Sequence, residues 1–178
     1  YHLFYADGIG SPGTDITFFD WPVGRERRGT HSVTRTGFRV ANEESLKFWQ
    51  HRFAMLGVKH EKVTETANWQ TLAFEDHEGQ RLALVSDGEG EAHSWQDSPV
   101  PAEHQIRGLG PITMSLPDIR TTDMVLTKLM NMVPLGTFSG THVYKMAQPG
   151  AVGELHVTVD PTLPPAQQGA GSVHHVAF

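Results

Sequence analysis

His174 and His175 stand side by side in Ser-Val-His-His-Val-Ala-Phe, the only adjacent pair among eleven histidines. Imidazole suits two kinds of chemistry: its neutral nitrogen binds a transition metal, and the ring exchanges a proton near neutral pH. The flanking residues read as a strand, where successive side chains point to opposite faces. At most one of the two can then bind a metal from one side. The other packs, or sits behind the ligand. Spacing alone does not separate a metal ligand from a hydrogen-bonded histidine on an apolar strand.

The remaining candidates are weaker. His31, His51, His60, His77, His93 and His104 lie in polar or loop contexts and read as solvated, and His142 sits at a hairpin edge. Gly8-Ile9-Gly10-Ser11-Pro12-Gly13 invites a phosphate-loop reading, but a strand follows it and the Lys-Ser/Thr such loops need is absent. Its Pro and Gly residues predict a turn joining two strands. The chain has no cysteine, which excludes disulfides, thiolate metal sites and cysteine nucleophiles.

The elements that would position these residues repeat along the chain. Three apolar runs close on Asp, at Asp20, Asp87 and Asp160. Between the first two, a strand over 31–40 precedes a helix capped by Asn42, with Leu46, Trp49, Phe53 and Leu56 forming one apolar stripe. Gly57 stops the helix, and strands near 58–63, 69–75 and 81–86 follow, the last two joined by the turn Asp76-His77-Glu78-Gly79. A second unit copies this order: a strand over 108–116, a helix capped by Asp118, then strands near 133–138, 141–146 and 153–159. Ile119, Val125, Leu126, Leu129 and Met130 are its predicted buried side; Met124 also reads as core. The expected organisation is a module end at 1–22, complete βαβββ modules at 29–87 and 106–160 joined by a linker at 88–105, and the opening strand of a further module at 172–178. The fold class is therefore α+β, with tandem βαβββ modules forming a curved mixed sheet and helices outside. A chain that starts and stops inside modules is expected to be cut at both ends, with unpaired edges that a homodimer could cover.

Composition narrows the partners. Net charge is −6 with histidine neutral, which argues against nucleic acid, and the Arg25, Arg27, Arg28 cluster reads as a solvated loop. No run of eighteen apolar residues occurs, and YHLFYADG lacks the features of a signal peptide, so the expectation is a cytoplasmic protein without a membrane partner.

The paired modules, with YHLFYADGIGSPGTDITFFDWP at 1–22 and QGAGSVHHVAF at 168–178, resemble the vicinal-oxygen-chelate superfamily, and within it the hydroquinone-type ring-cleaving dioxygenases of the glyoxalase family. The resemblance implies a metal-dependent, extradiol-type cleavage of a hydroquinone or catechol by dioxygen. It implies Fe(II), with Mn or Zn as alternatives, His175 as a metal ligand, His174 as the outer acid–base group, and His2 as a substrate-pocket residue. The other ligands of a two-His-one-carboxylate site would come from stretches absent from this sequence, so the chain alone is expected to be inactive. Register from the terminal Asp places Ala83 and His156 at the carboxylate position, and Pro111 at the position of His175. His156 alone makes no site, so the middle modules read as scaffold. A glyoxalase-type isomerase or thiol transferase, or a small-molecule binding module, are the alternatives on the same fold.

Overall fold

The computed structural model describes residues 1–147 and 150–178. β1 (His2–Tyr5) and β2 (Ile16–Phe19) form an antiparallel hairpin of their own. The first complete module follows as β3 (Ser32–Val40), α1 (Glu43–Leu56), β4 (Lys59–His60), β5 (Thr64–Thr66), β6 (Trp69–Glu75) and β7 (Arg81–Ser86). The second contains β8 (Leu109–Leu116), α2 (Arg120–Met124), β9 (Val133–Phe138), β10 (Thr141–Lys145) and β11 (Glu154–Val159).

The first helix forms where its sequence dictates. The Asn42 side chain accepts from the Ser45 N–H at 3.0 Å, and Gly57 takes a left-handed φ of 68° that ends the helix. Leu46 and Phe53 are buried against Phe38, Val40, Leu72 and Leu84, with Trp49 partly covered. The stripe stops there, because Leu56, in the last turn, is 64% exposed.

The second helix departs from its expected pattern. Asp118 accepts from the Arg120 N–H at 2.8 Å, but after one turn the helix widens into a π turn over Val125–Leu129, closed by Met130 N–H to Val125 C=O at 3.1 Å. A π turn shifts later side chains around the axis, so a 3.6-residue stripe no longer keeps to one face. Leu126 is buried, and Ile119 and Met130 pack partly on the core. Met124, Val125 and Leu129 face solvent instead, at 60%, 39% and 75% exposure.

Nine strands share one mixed sheet in the order β4-β6-β7-β3-β8-β11-β10-β9, with β5 on β6. Each module pairs its opening and closing strands in parallel, β3 with β7 and β8 with β11, and the modules meet at the antiparallel β3–β8 seam. Both cores lie on the helix side. The repeat is visible in single hydrogen bonds: Asp87 N–H donates to Val40 C=O at 2.8 Å, and Asp160 N–H to Leu116 C=O at 2.7 Å. Counting back from these anchors makes Arg35 the counterpart of Pro111, and Ala83 the counterpart of His156.

Residues 172–178 do not form the expected strand. A strand is held by ladder bonds to a neighbour, and no strand among the described residues pairs with this segment.

Candidate functional site

The two connecting segments 24–30 and 164–170 run beside each other. Glu26 N–H donates to Ala170 C=O at 3.0 Å, Ala170 N–H to Gly24 C=O at 2.9 Å, and Thr30 N–H to Pro164 C=O at 2.9 Å. Arg27 and Gln167 exchange both backbone bonds, at 3.0 and 2.8 Å. This pairing carries the end of the β1–β2 hairpin to the segment that holds His174. Residues far apart in sequence thus border one cleft.

Between them opens a cleft of about 700 Å³, lined by Phe18, Phe19 and Trp21 on one side and by the segment from Gln168 to Ala177 on the other. Thr36, Leu109 and Ile112 of the seam strands also line it, as does the turn at His77 and Glu78. The three basic residues expected to be solvated are exposed, yet two of them grip this turn. Arg25 donates to His77 C=O at 2.9 Å, Arg28 donates to Gly79 C=O at 2.9 Å, and Arg28 also pairs with Glu75 at 3.2 Å. Hydrogen bonding from Lys59, against a smaller opposing effect of burial, and then the contact with Arg28 hold the Glu75 carboxyl below its ordinary value.

The aromatic wall is ordered. His2 stacks on Phe19 with centroids 4.2 Å apart at 16°, and Phe19 stacks on Trp21 at 4.7 Å and 22°. His174 stands edge-on to Trp21 at 5.5 Å and 84°. His2 therefore lies one ring behind the cleft, connected to it through Phe19. Without strand alternation, His174 and His175 do not point to opposite faces: their Nδ1 atoms are 2.8 Å apart, so one ring donates and the other accepts.

Two imidazoles do not make the donor set of a two-His-one-carboxylate centre. Among the described residues no three His, Cys, Asp or Glu side chains converge closely enough to hold a metal ion. The residues of this chain do not by themselves fit an iron site.

The middle modules enclose a second, far smaller cavity of about 20 Å³. Arg35, Ala83, Pro111 and His156, the four positions picked out by the repeat, all line it. His156 is buried and lies 3.1 Å from Glu154 Oε2, which also accepts from Trp69 Nε1 at 2.9 Å. Two other histidines read as solvated are in fact engaged. His93 contacts Ser11 Oγ at 3.2 Å and Asp7 at 3.3 Å, while His104 contacts Ser45 Oγ at 3.1 Å and stacks on Phe48.

The chain aligns over its whole length, at 39% identity, with 59% of a Bacillus subtilis (strain 168) protein named "Putative ring-cleaving dioxygenase MhqA". It aligns at 28% identity with 57% of the chlorohydroquinone/hydroquinone 1,2-dioxygenase of Sphingobium indicum. It spans somewhat over half of these relatives. A Bacillus subtilis crystal structure described as a putative dioxygenase superposes with a TM-score of 0.88 at 30% identity, over 98% of this chain and 56% of that one. Glyoxalase I from Zea mays shares the fold, with a TM-score of 0.56 at 12% identity over 88% of this chain and 52% of that one. The chain has the vicinal-oxygen-chelate fold. No family model matches it.

Within the vicinal-oxygen-chelate fold the sequence had pointed to His174, His175 and His2. The structure brings His174 and His175 to the cleft and His2 to the stack behind it. Trp21 was missed, although it sits in the Phe-Phe-Asp-Trp-Pro run, where a third aromatic just past a strand end was the available signal. No helix among the described residues is long and apolar enough to cross a membrane.

Proposed function

We propose that this chain forms the substrate-facing wall of a ring-cleaving dioxygenase that acts on a hydroquinone or catechol with dioxygen. One observation carries the reading: an aromatic-walled cleft holds the His174–His175 pair, in a chain whose whole length aligns with part of relatives that bear dioxygenase names. A flat aromatic diol suits such a wall, since stacking accepts its ring while a histidine handles its hydroxyl proton. His174 Nδ1 is engaged by His175, which leaves Nε2 as the nitrogen available to that proton. His2 supports the wall from behind Phe19.

The reading includes Fe(II), with Mn or Zn as alternatives, and His175 as one ligand. The described residues do not complete a chelate, so no chemical step is assigned to the metal from this chain. A single imidazole is a weak ligand, and the chain alone should retain less than stoichiometric metal after dialysis, measured by elemental analysis.

Oxygen uptake by the full gene product that carries this chain tests the reaction. Hydroquinone should drive uptake that depends on added Fe(II), and His175→Ala should abolish it. No uptake with any hydroquinone or catechol, with any of the three metals, would overturn the reading.

A further inference from the structure

We propose that Trp21 is the platform on which the cleft seats its substrate ring, and that the lining around it selects uncharged rings over anionic ones. This rests on the reading of the cleft as an aromatic-diol site. Trp21 is 51% exposed although a large apolar ring in that position gains by burial. Its exposure is not slackness. Phe19 stacks on Trp21 at 4.7 Å, and His2 in turn stacks on Phe19 at 4.2 Å, so the indole is backed by two further rings. The backbone pairing of 24–30 with 164–170 fixes the segment just beyond it. A rigid indole at the end of a stack offers a surface to a further flat ring. His174 stands nearly perpendicular to Trp21 at 5.5 Å, so a ring lying on the indole places its edge toward that imidazole.

The charges of the lining add a second selection. Asp15, Asp20 and Glu78 belong to it, and no lysine or arginine does among the described lining residues. A carboxylated ring meets three like charges with no countercharge among the lining residues themselves. These groups are exposed and screened by salt, so the penalty is several-fold and falls as ionic strength rises.

The test reads the indole N–H resonances of the four tryptophans of this chain, Trp21, Trp49, Trp69 and Trp95, during titration with three probes. The probes are hydroquinone, its 2-carboxylate, and cyclohexane-1,4-diol. Hydroquinone should move the Trp21 resonance, and the saturated diol should not. Trp21→Leu should weaken hydroquinone about tenfold, and Trp21→Phe by no more than about threefold, since a smaller ring still stacks. The carboxylated ring should bind several-fold more weakly at low salt, with the gap closing at high salt. Trp95→Leu, in an exposed tryptophan outside the lining, should leave affinity unchanged.

Trp21 lies outside both cores, so the melting temperature of Trp21→Leu should match that of the native chain. A silent Trp21 resonance at millimolar hydroquinone, or unchanged affinity in Trp21→Leu, overturns the platform. Equal affinity for both rings at low salt overturns the charge selection. A gene product that consumes oxygen with hydroquinone while Trp21 stays silent loses the platform and keeps the reaction. The reverse result loses the reaction and keeps the platform.

Discussion

Gly37 of β3 lies so close to Pro111 of β8 that a Cβ built on Gly37 would sit 2.6 Å from the Pro111 carbonyl oxygen. The contact falls on the seam between the two complete modules, where the strand register shifts between Thr36 and Phe38. The clash is with backbone, which cannot swing aside as a side chain can. Gly37→Ala should therefore destabilise the chain by about 1–3 kcal/mol through overpacking. Urea denaturation measures this, and a midpoint unchanged from the native chain would contradict the close approach.

Arg39 and Asp87 tie the same seam together. Arg39 donates to Leu109 C=O at 3.1 Å and Glu89 C=O at 3.0 Å, and its Nη1 lies 3.6 Å from Asp87 Oδ2. Asp87 accepts from the Ala151 N–H at 2.6 Å, across to the other module. Both residues are buried. Removing one partner of a buried pair strands the other charge, so Arg39→Met should cost about 3 kcal/mol or more. A double-mutant cycle with Asp87→Asn should show strong coupling, and additive losses would mean the two residues act independently.

Acid should loosen the β1–β2 loop before it unfolds the modules. Burial opposes ionisation of Asp7, but bonds from the Ser11 N–H and hydroxyl, the Ile9 N–H and His93 outweigh it and draw its pKa from 3.8 to about 2. A depressed carboxyl contributes stability that is present above its unfolded value and lost as pH falls through the folded one. Amide exchange at Gly8 and Ser11 should therefore accelerate as pH drops from about 4 toward 2, relative to the intrinsic rate. Asp7→Asn should show fast exchange at these amides already at neutral pH. Equal protection in that variant would sink the assignment.

Tyr144 tethers the short second helix. Its hydroxyl donates to Asp123 Oδ1 at 2.8 Å, and burial first, then that carboxylate, push its pKa up to about 12. A raised value means the contribution is complete below the unfolded pKa of 10.0 and lost as pH climbs toward 12. Tyr144→Phe should cost about 1 kcal/mol at neutral pH and remove part of the alkaline transition. The near-ultraviolet phenol titration of the native chain checks the high value directly.

The sequence made the repeat legible because its signals are local. Asn42 and Gly57 mark one helix with residue types that only caps require, and the terminal Asp of each module recurs at matching strand ends. Trp69–Glu75 and Arg81–Ser86 are strands at the bounds their alternation predicts. What the sequence hid depends on partners or on departures from the helical period. The π turn at Val125–Leu129 leaves Leu129 exposed despite a perfect apolar spacing. His93 looks solvated until the loop at Asp7 is placed against it. The candidate site was half legible: two adjacent histidines stand out as candidates and do line the cleft, but nothing local says that the segments 24–30 and 164–170 pair and set Trp21 beside His174.

The small cavity between the middle modules limits what substitution at the seam can build. In the two modules the repeat-equivalent positions hold Arg35, Ala83, Pro111 and His156, and the Nε atom of Arg35 is buried without a hydrogen-bond partner among the described residues. A guanidinium repels metal cations, and alanine and proline offer them no side-chain lone pair. This pair of modules keeps its strands and helices while its cavity lining, among the described residues, holds no set of side chains that could grip a metal ion. Because Arg35, Ala83 and Pro111 would all have to change together, a single substitution along the seam cannot build a metal centre in this cavity.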